Sequence, residues 1–372
     1  MTNPLKMLLS LSARSYLALL CGIIALVLLL PFSDIWRPSG RNPTGGSSFQ
    51  PAYVRDNLPK SQERQKRVWV SVQWSRIGML SPTDGVMQPS PVAFFVQDEL
   101  MVLDARDLSL KHINELLKIT FTYKLPSEAL LKANYPPTDV TSDGNSIWIC
   151  NPNGHVVRIN VQSGRYTVLP VKAYKLGVTD GHLVVMQPAG SEKMFKVIGQ
   201  DGNTSVEFGT FYMNQTHTGI ALDGRLAVDV HGENIYYAPN YNGFMASYDI
   251  HGRQRFLMHT IDKEPPPFIT STVTGFQATA QNTKSRIMYL TCYENDIWAL
   301  VSVRKDRGIW ENVLDVYNGE SGAYRYSLHM PEPALAIAAK GNTIYAMRPR
   351  EEGVSAWKVR VSDTSISQGN LH

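Results

Sequence analysis

The sequence predicts an all-β fold: a six-bladed β-propeller of four-stranded antiparallel blades, preceded by an N-terminal transmembrane helix. Three observations predict it. One pattern of apolar runs and turns recurs six times, one long uncharged apolar run stands near the N-terminus, and nothing longer than a turn reads as helix after that run. The clearest copy of the pattern is 145–169, NSIWICNPNGHVVRINVQSGRYTVL. Its alternation of apolar run, polar turn, apolar run, Gly turn and apolar run reads as three antiparallel strands.

The bulk composition fits one large all-β domain. At 372 residues the chain exceeds an average single core, but propellers routinely do. With 43% hydrophobic and 18% charged residues it can bury a sizeable core, and its 27 Gly and 22 Pro imply frequent turns. A net charge of +4, with bases and acids interspersed, excludes the basic stripe of a nucleic-acid binder. Of the three cysteines, Cys21 lies in the N-terminal apolar run, and Cys150 and Cys292 lie in IWIC and YLTC, where a thiol packs as a small hydrophobe. A disulfide between those two is open if the domain is extracytoplasmic, but no disulfide framework holds the fold.

In chain order, residues 1–15 form a short segment expected on the cytoplasmic side. Residues 16–32, YLALLCGIIALVLLLPF, are uncharged and preceded by Lys6 and Arg14. As a helix they span roughly 25 Å, and with the flanking leucines they reach the roughly 30 Å hydrocarbon core. No small-x-small cleavage site closes the run, so it reads as an uncleaved anchor rather than a signal peptide. The bases before it place the bulk of the chain outside the cytoplasm. Residues 33–66, rich in Gly, Pro, Ser and charge, lack apolar periodicity and read as a flexible linker.

From Arg67 the period becomes two: Val68, Val70, Val72 and Trp74 alternate with Trp69, Ser71 and Gln73, a half-buried strand. The repeats follow over 67–363, with copies beginning near Glu99, Asn145, His182, Asn234, Asp296 and Asn342, and the polar tail 364–372 closes the chain. Each copy is preceded by a further apolar run (PVAFFV, PTDVTS, AYKLGV, GRLAVDV, RIMYLTC, ALAIAA), often through a turn such as Asp143-Gly144 or Lys340-Gly341. Four strands per unit and six units is the signature of a propeller. The stretch between Leu257 and Arg286 has room for an extra strand pair. The sixth copy ends after its third strand, SAWKVRV, so the early strand Arg67–Trp74 is left to fill the missing outer place and close the ring.

The passages SPVAFFVQDELMVLDARDLSLKHIN and TDVTSDGNSIWICNPNGHVVRINVQSG resemble the blades of six-bladed propellers of the NHL and SMP-30 (gluconolactonase-like) type. The resemblance covers roughly residues 67–363 and implies the fold alone. It also raises an alternative reading, a metal-dependent hydrolase of the lactonase type. That reading implies a divalent cation such as Ca in the central channel, held by Glu, Asn and Asp side chains. Asp139, Asp229 and Glu294, with Asn282 in a preceding loop, are the candidates here, but none matches a family ligand position residue by residue. No metal ligand and no catalytic residue is assigned.

The catalytic signatures G-x-S-x-G, H-E-x-x-H, the Walker loop, C-x-x-C and the dinucleotide fingerprint are all absent. His217 and His231 lie near turns and read as loop histidines. The candidate binding residues are those in loops joining the second and third strands of each blade, which gather on one side of a propeller. They are Arg106, Arg304, Arg307, Arg348 and Arg350 on three neighbouring blades, and Asn151, Asn153, Asn240 and Tyr241 on the others. Acids in the same loops nearly neutralise the cations. The expected function is a membrane-anchored extracytoplasmic module that binds a protein partner or small ligand, held to the membrane by 16–32. Deleting residues 67–75 should abolish cooperative unfolding in a thermal melt, and a variant that melts like the parent would sink the closure idea.

Overall fold

The computed structural model describes residues 48–361, apart from 65, 86–88, 97–98, 105, 180, 200, 215–218, 230–233, 273–274, 280–282, 306–308 and 349–352. The expected cytoplasmic segment, the anchor 16–32, the first part of the linker and the tail 364–372 lie outside the described residues. So do His217, His231, Asn282, Arg307 and Arg350. Among the described residues no helix is long and apolar enough to cross a membrane.

Two strands, β1 (Ser48–Phe49) and β2 (Val72–Leu80), precede the repeats. Sheet one then comprises β3–β6 (Pro89–Val96, Glu99–Asp104, Ser109–Ile113, Ile119–Lys124), and sheet two β7–β10 (Asp139–Ser142, Ser146–Cys150, Val156–Asn160, Tyr166–Leu169). Sheet three is β11–β14 (Lys175–Thr179, His182–Met186, Phe195–Ile198, Thr204–Phe208), and sheet four β15–β18 (Gly224–Val228, Asn234–Pro239, Phe244–Asp249, Gln254–His259). A hairpin follows, β19 and β20 (Phe268–Thr272, Gly275–Thr279), to which β1 adds a third strand; this is the extra pair for which the sequence left room. Sheet five is β21–β24 (Ser285–Tyr293, Asp296–Arg304, Trp310–Asn318, Tyr324–His329). Sheet six is β25–β27 (Ala336–Lys340, Thr343–Met347, Val354–Val361), completed by β2 on the outside.

The first strands adjoin in sequence: β3, β7, β11, β15, β21, β25 and back to β3. Packing follows the same cycle. Six hydrophobic clusters each lie between two successive sheets, and alternate side chains of each second strand enter different clusters. Ile147 and Ile149 of β8 pack with sheet one, whereas Trp148 and Cys150 pack with sheet three. Ile235 and Tyr237 of β16 face sheet three, and Tyr236 and Ala238 face sheet five. The second strands are therefore buried on both faces, which is why they read as unbroken apolar runs rather than alternating ones. The outer strands, with one wet edge, are more polar: Ile119–Lys124 is mostly exposed or half-buried.

The segment after β1 corrects the expectation of a flexible linker over the second half of 33–66. Tyr53 packs on Tyr212 and Phe244, with ring centroids 5.2 and 5.9 Å apart, and its hydroxyl donates to Asn242 Oδ1 at 2.9 Å. Lys60 then bridges Met258 on β18, the outer strand of sheet four. Gln62 is buried; its amide donates to the carbonyls of His259 and Gly322 at 2.8 and 2.9 Å and its oxygen accepts the N–H of Tyr324. The stretch lacks apolar periodicity because its polar side chains are satisfied by backbone groups at sheet edges, which hydropathy does not register.

Arg67 anchors the next step. Its guanidinium donates to Asp315 from Nε at 3.0 Å and Nη2 at 2.8 Å, and to Asp262 from Nη1 at 2.6 Å. Burial works against charge on Arg67, but the Asp315 and Asp262 carboxylates outweigh it and push its pKa up. Val68 and Val70 pair with Ser327 on β24, and Trp69 stacks on His329 with centroids 3.9 Å apart. The predicted closing strand thus begins later than the alternation suggested: residues 67–70 edge sheet five, and only Val72–Leu80 pairs antiparallel with β27 in sheet six. At its end, Gly353 has φ +90°, and a Cβ there would lie 1.8 Å from the Leu80 carbonyl oxygen, so the approach of β2 requires glycine.

A six-residue helix, α1 (Ser127–Lys132), joins sheets one and two where no helix was expected, burying Ala129 and Leu130 against the first two sheets. Cys150 and Cys292 are free, and burial pushes both thiols well above their usual range. Replacing Arg67 with Met leaves two carboxylates facing each other in a desolvated site. It should cost about 3–5 kcal/mol in urea unfolding, and a loss below about 1 kcal/mol, the range of an exposed pair, would show that the cluster does not hold the strap.

Candidate functional site: the central cavity and its loop face

All six first strands line one central cavity of about 620 Å³. Between its ends the wall mixes apolar side chains, among them Val92, Phe94, Leu176, Leu226 and Leu290, with the hydroxyl-bearing Thr141, Ser142 and Thr291. The strands come close enough that a Cβ on Gly177 of β11 would meet Val228 Cγ2 of β15 at 2.2 Å. Tyr289 of β21 reaches across to β3, where its hydroxyl donates to the Ala93 carbonyl at 2.9 Å and accepts the Ala93 N–H at 3.2 Å. The intervening β25 has the small residues Ala336 and Ala338 in the cluster against which Tyr289 packs, which makes room for that crossing.

Charge sits at the two ends of the cavity. Asp139, Lys175 and Arg225 occupy the beginnings of β7, β11 and β15; Asp229, Glu294 and Lys340 follow or finish β15, β21 and β25. In register, Asp139 opposes Cys150, Lys175 opposes Met186 and Arg225 opposes Ala238, at or one residue from the ends of the second strands. The first group therefore adjoins the loops between second and third strands. Asp139 is buried; one carboxylate oxygen accepts the Leu176 N–H at 2.7 Å and the other lies 3.9 Å from Lys175 Nζ. Burial pushes its carboxyl above the usual range, against the pull of Lys175 and Arg225. Arg225 Nε is buried without a hydrogen-bond partner.

The loop residues expected to bind sit in those second-to-third-strand turns, and several are engaged locally. Asn151 donates to the Pro136 carbonyl at 2.9 Å and accepts the Asn153 N–H at 3.1 Å. Asn240 donates to Asp223 Oδ2 at 3.1 Å, and Tyr241 follows it in the turn before β17, half-buried. Arg106 is exposed, with its N–H on Asp104. Arg304 ends β22, exposed. Arg348 is half-buried, 3.3 Å from Glu332 and within 3.0 Å of the Met79 sulfur on β2, which ties that loop to the closing strand. Asn151, Asn240 and Tyr241 lie beside the cavity end that carries Asp139 and Arg225.

Lys175 and Arg225 were missed by sequence reasoning. The signal was a charge inside an apolar run, as in AYKLGV and GRLAVDV, the same feature that drew attention to Asp139 in PTDVTS. Of the acids considered for a cation, Asp139, Asp229 and Glu294 all line the cavity. Among the described residues, no three His, Cys, Asp or Glu side chains come together as a metal-binding group.

No protein-family model and no curated protein sequence matches the chain. Solved structures do. A DUF4221-family member from Bacteroides vulgatus overlays with a TM-score of 0.53 at 11% identity, covering 80% of this chain and 100% of its own. A Bacteroides fragilis protein inferred to be exported gives 0.50 at 10% identity, covering 82% and 99%. BamB from Moraxella catarrhalis gives 0.39 at 12% identity, covering 77% and 100%. The likeness is one of fold. It bears out the propeller resemblance at that level.

Replacing Tyr289 with Phe removes one hydroxyl and strands the Ala93 N–H and carbonyl inside the ring. Unfolding in urea should show a loss of about 1–3 kcal/mol, and an unchanged midpoint would mean that the strut contributes nothing.

Proposed function

We propose that the protein is a six-bladed β-propeller tethered to the membrane by residues 16–32, held on the extracytoplasmic side, and acting as a binding or assembly module for a protein partner or small ligand. One observation carries this reading: all six first strands line a single preformed cavity, with turns from several sheets gathered at one end of it. Concave, largely apolar pockets with a few convergent polar groups are where proteins bind ligands. Loops on a rigid scaffold are where recognition residues concentrate. The anchor and the extracytoplasmic placement rest on the apolar run and the bases before it.

A lactonase-like hydrolase is the second reading, and the presence of Asp139, Asp229 and Glu294 in one cavity favours it. These acids stand at different ends of their strands, Asp139 at a beginning and the other two just past an end, a poor start for a shared cation.

The test is site-specific photo-cross-linking in cells. A photoreactive residue at Asn153, on the loop face, should give discrete adducts, whereas one at Thr122, exposed on the outer strand of sheet one, should not. Equal adduct patterns from both positions would remove the loop face as the binding surface. A cysteine at Asn153 should also react with a membrane-impermeant maleimide before permeabilisation; protection until the membrane is opened would overturn the extracytoplasmic placement.

A further inference from the structure

We propose that the loop-side end of the central cavity binds a small organic carboxylate with an aromatic or aliphatic body, its carboxylate received by Arg225 and Lys175. The proposal rests on the reading of the cavity as a ligand pocket and adds the chemistry of its ligand. Three consecutive first strands bring two cations and one carboxylate to the same end: Asp139, Lys175 and Arg225. Asp139 is already engaged, with one oxygen on the Leu176 N–H and the other turned to Lys175 at 3.9 Å. Asp223, just before β15, is held by Asn240 and Tyr174, so the cation side chain left without a paired acid is Arg225.

Arg225 is the stronger argument. Its Nε is buried and has no acceptor. A buried donor without a partner is expensive, more so on a charged group. A guanidinium at the wall of a cavity offers parallel N–H groups that match a carboxylate in two-point geometry. An anion entering there would meet the open side of the guanidinium and offset electrostatically the cost of its buried, unpartnered Nε.

The rest of the cavity selects the body of the ligand. Behind the charged end Leu176, Val178, Leu226, Val228 and Leu290 stand beside Thr141 and Thr291, a mixed wall that a bare inorganic anion would leave unfilled. The cavity volume of about 620 Å³ lies within the range of pockets that enclose small organic molecules, roughly 300–1,000 Å³. At the far end Asp229 and Glu294 outnumber Lys340, so a second anionic group on the ligand would meet acids. A monocarboxylate therefore fits better than a dicarboxylate.

The test uses the full chain in nanodiscs of neutral lipid, with empty nanodiscs as the blank, and calorimetric titration of three probes: 2-naphthylacetate, the neutral 2-naphthylacetamide, and inorganic phosphate. The acid should bind saturably and at least about tenfold tighter than either other probe, the scale of a lost buried charge contact. Arg225→Met should weaken it by about tenfold or more, and Lys175→Met by a smaller factor. Thermal unfolding of both variants should stay cooperative, and Arg225→Lys should restore part of the affinity if charge at that point is what matters. Equal binding of acid and amide, phosphate binding as tight as the acid, no saturable binding of the acid, or undiminished binding to folded Arg225→Met would each overturn the proposal. Cross-linking at Asn153 reads partner contact at the loops rather than occupancy of the cavity, so failure of either experiment is distinguishable from failure of the other.

Discussion

The pairing of β2 with β27 is the constraint on which the rest of the structure depends. Each of the six hydrophobic clusters is shared between two successive sheets, so no sheet can bury both faces alone. Sheet six contributes three consecutive strands of its own, and a strand from the start of the chain supplies the fourth. The ladder over Val72–Leu80 and Val354–Val361 thus ties the two ends of the fold together, and a cut there would expose an edge strand. It also brings Leu80 into the cluster that sheets six and one share.

The strap before β2 decides where that strand begins. Lys60 lies on the outer strand of sheet four and Val68 and Val70 on that of sheet five, and Arg67 stands at the entry to the second of these contacts. A buried ion cluster is a weak source of net stability, because desolvating three charges offsets much of their attraction. Its geometry is demanding, however. Asp315 comes from β23 and Asp262 from the connection after β18, so only one placement of Arg67 satisfies both carboxylates. We read the cluster as a register device that sets the entry of β2 more than as a source of stability.

How far this was legible from sequence depends on the range of the interactions. The second strands start at Glu99, Ser146, His182, Asn234, Asp296 and Thr343, within one residue of the expected positions, because a strand buried on both faces leaves an unbroken apolar run. The strap was illegible for the opposite reason. Gln62 and Arg67 are single polar residues whose partners lie far along the chain, 195 residues away in the case of Asp262, and neither leaves a periodic trace. Helix α1 is too short to show a helical period. At the site, the turn residues Asn151 and Asn240 were visible as turn chemistry, whereas Lys175 and Arg225 gain meaning only once the ring places the beginnings of neighbouring first strands at one end of one cavity.

Specificity in a fold of this kind should reside on the first strands. The second strands face sheets on both sides and are held mostly to apolar residues by packing. The first strands are different: one edge borders the central space, and a residue at the beginning of each can carry charge without disturbing a cluster between sheets. Sheets two, three and four each use that position, with Asp139, Lys175 and Arg225, while β25 carries Ala336 and Ala338 beneath the Tyr289 crossing. At its loop-side end the ring therefore divides into a packed sector around β21, β25 and β3 and a charged sector around β7, β11 and β15. An asymmetric ligand would find its polar group and its apolar body matched by different parts of the same wall.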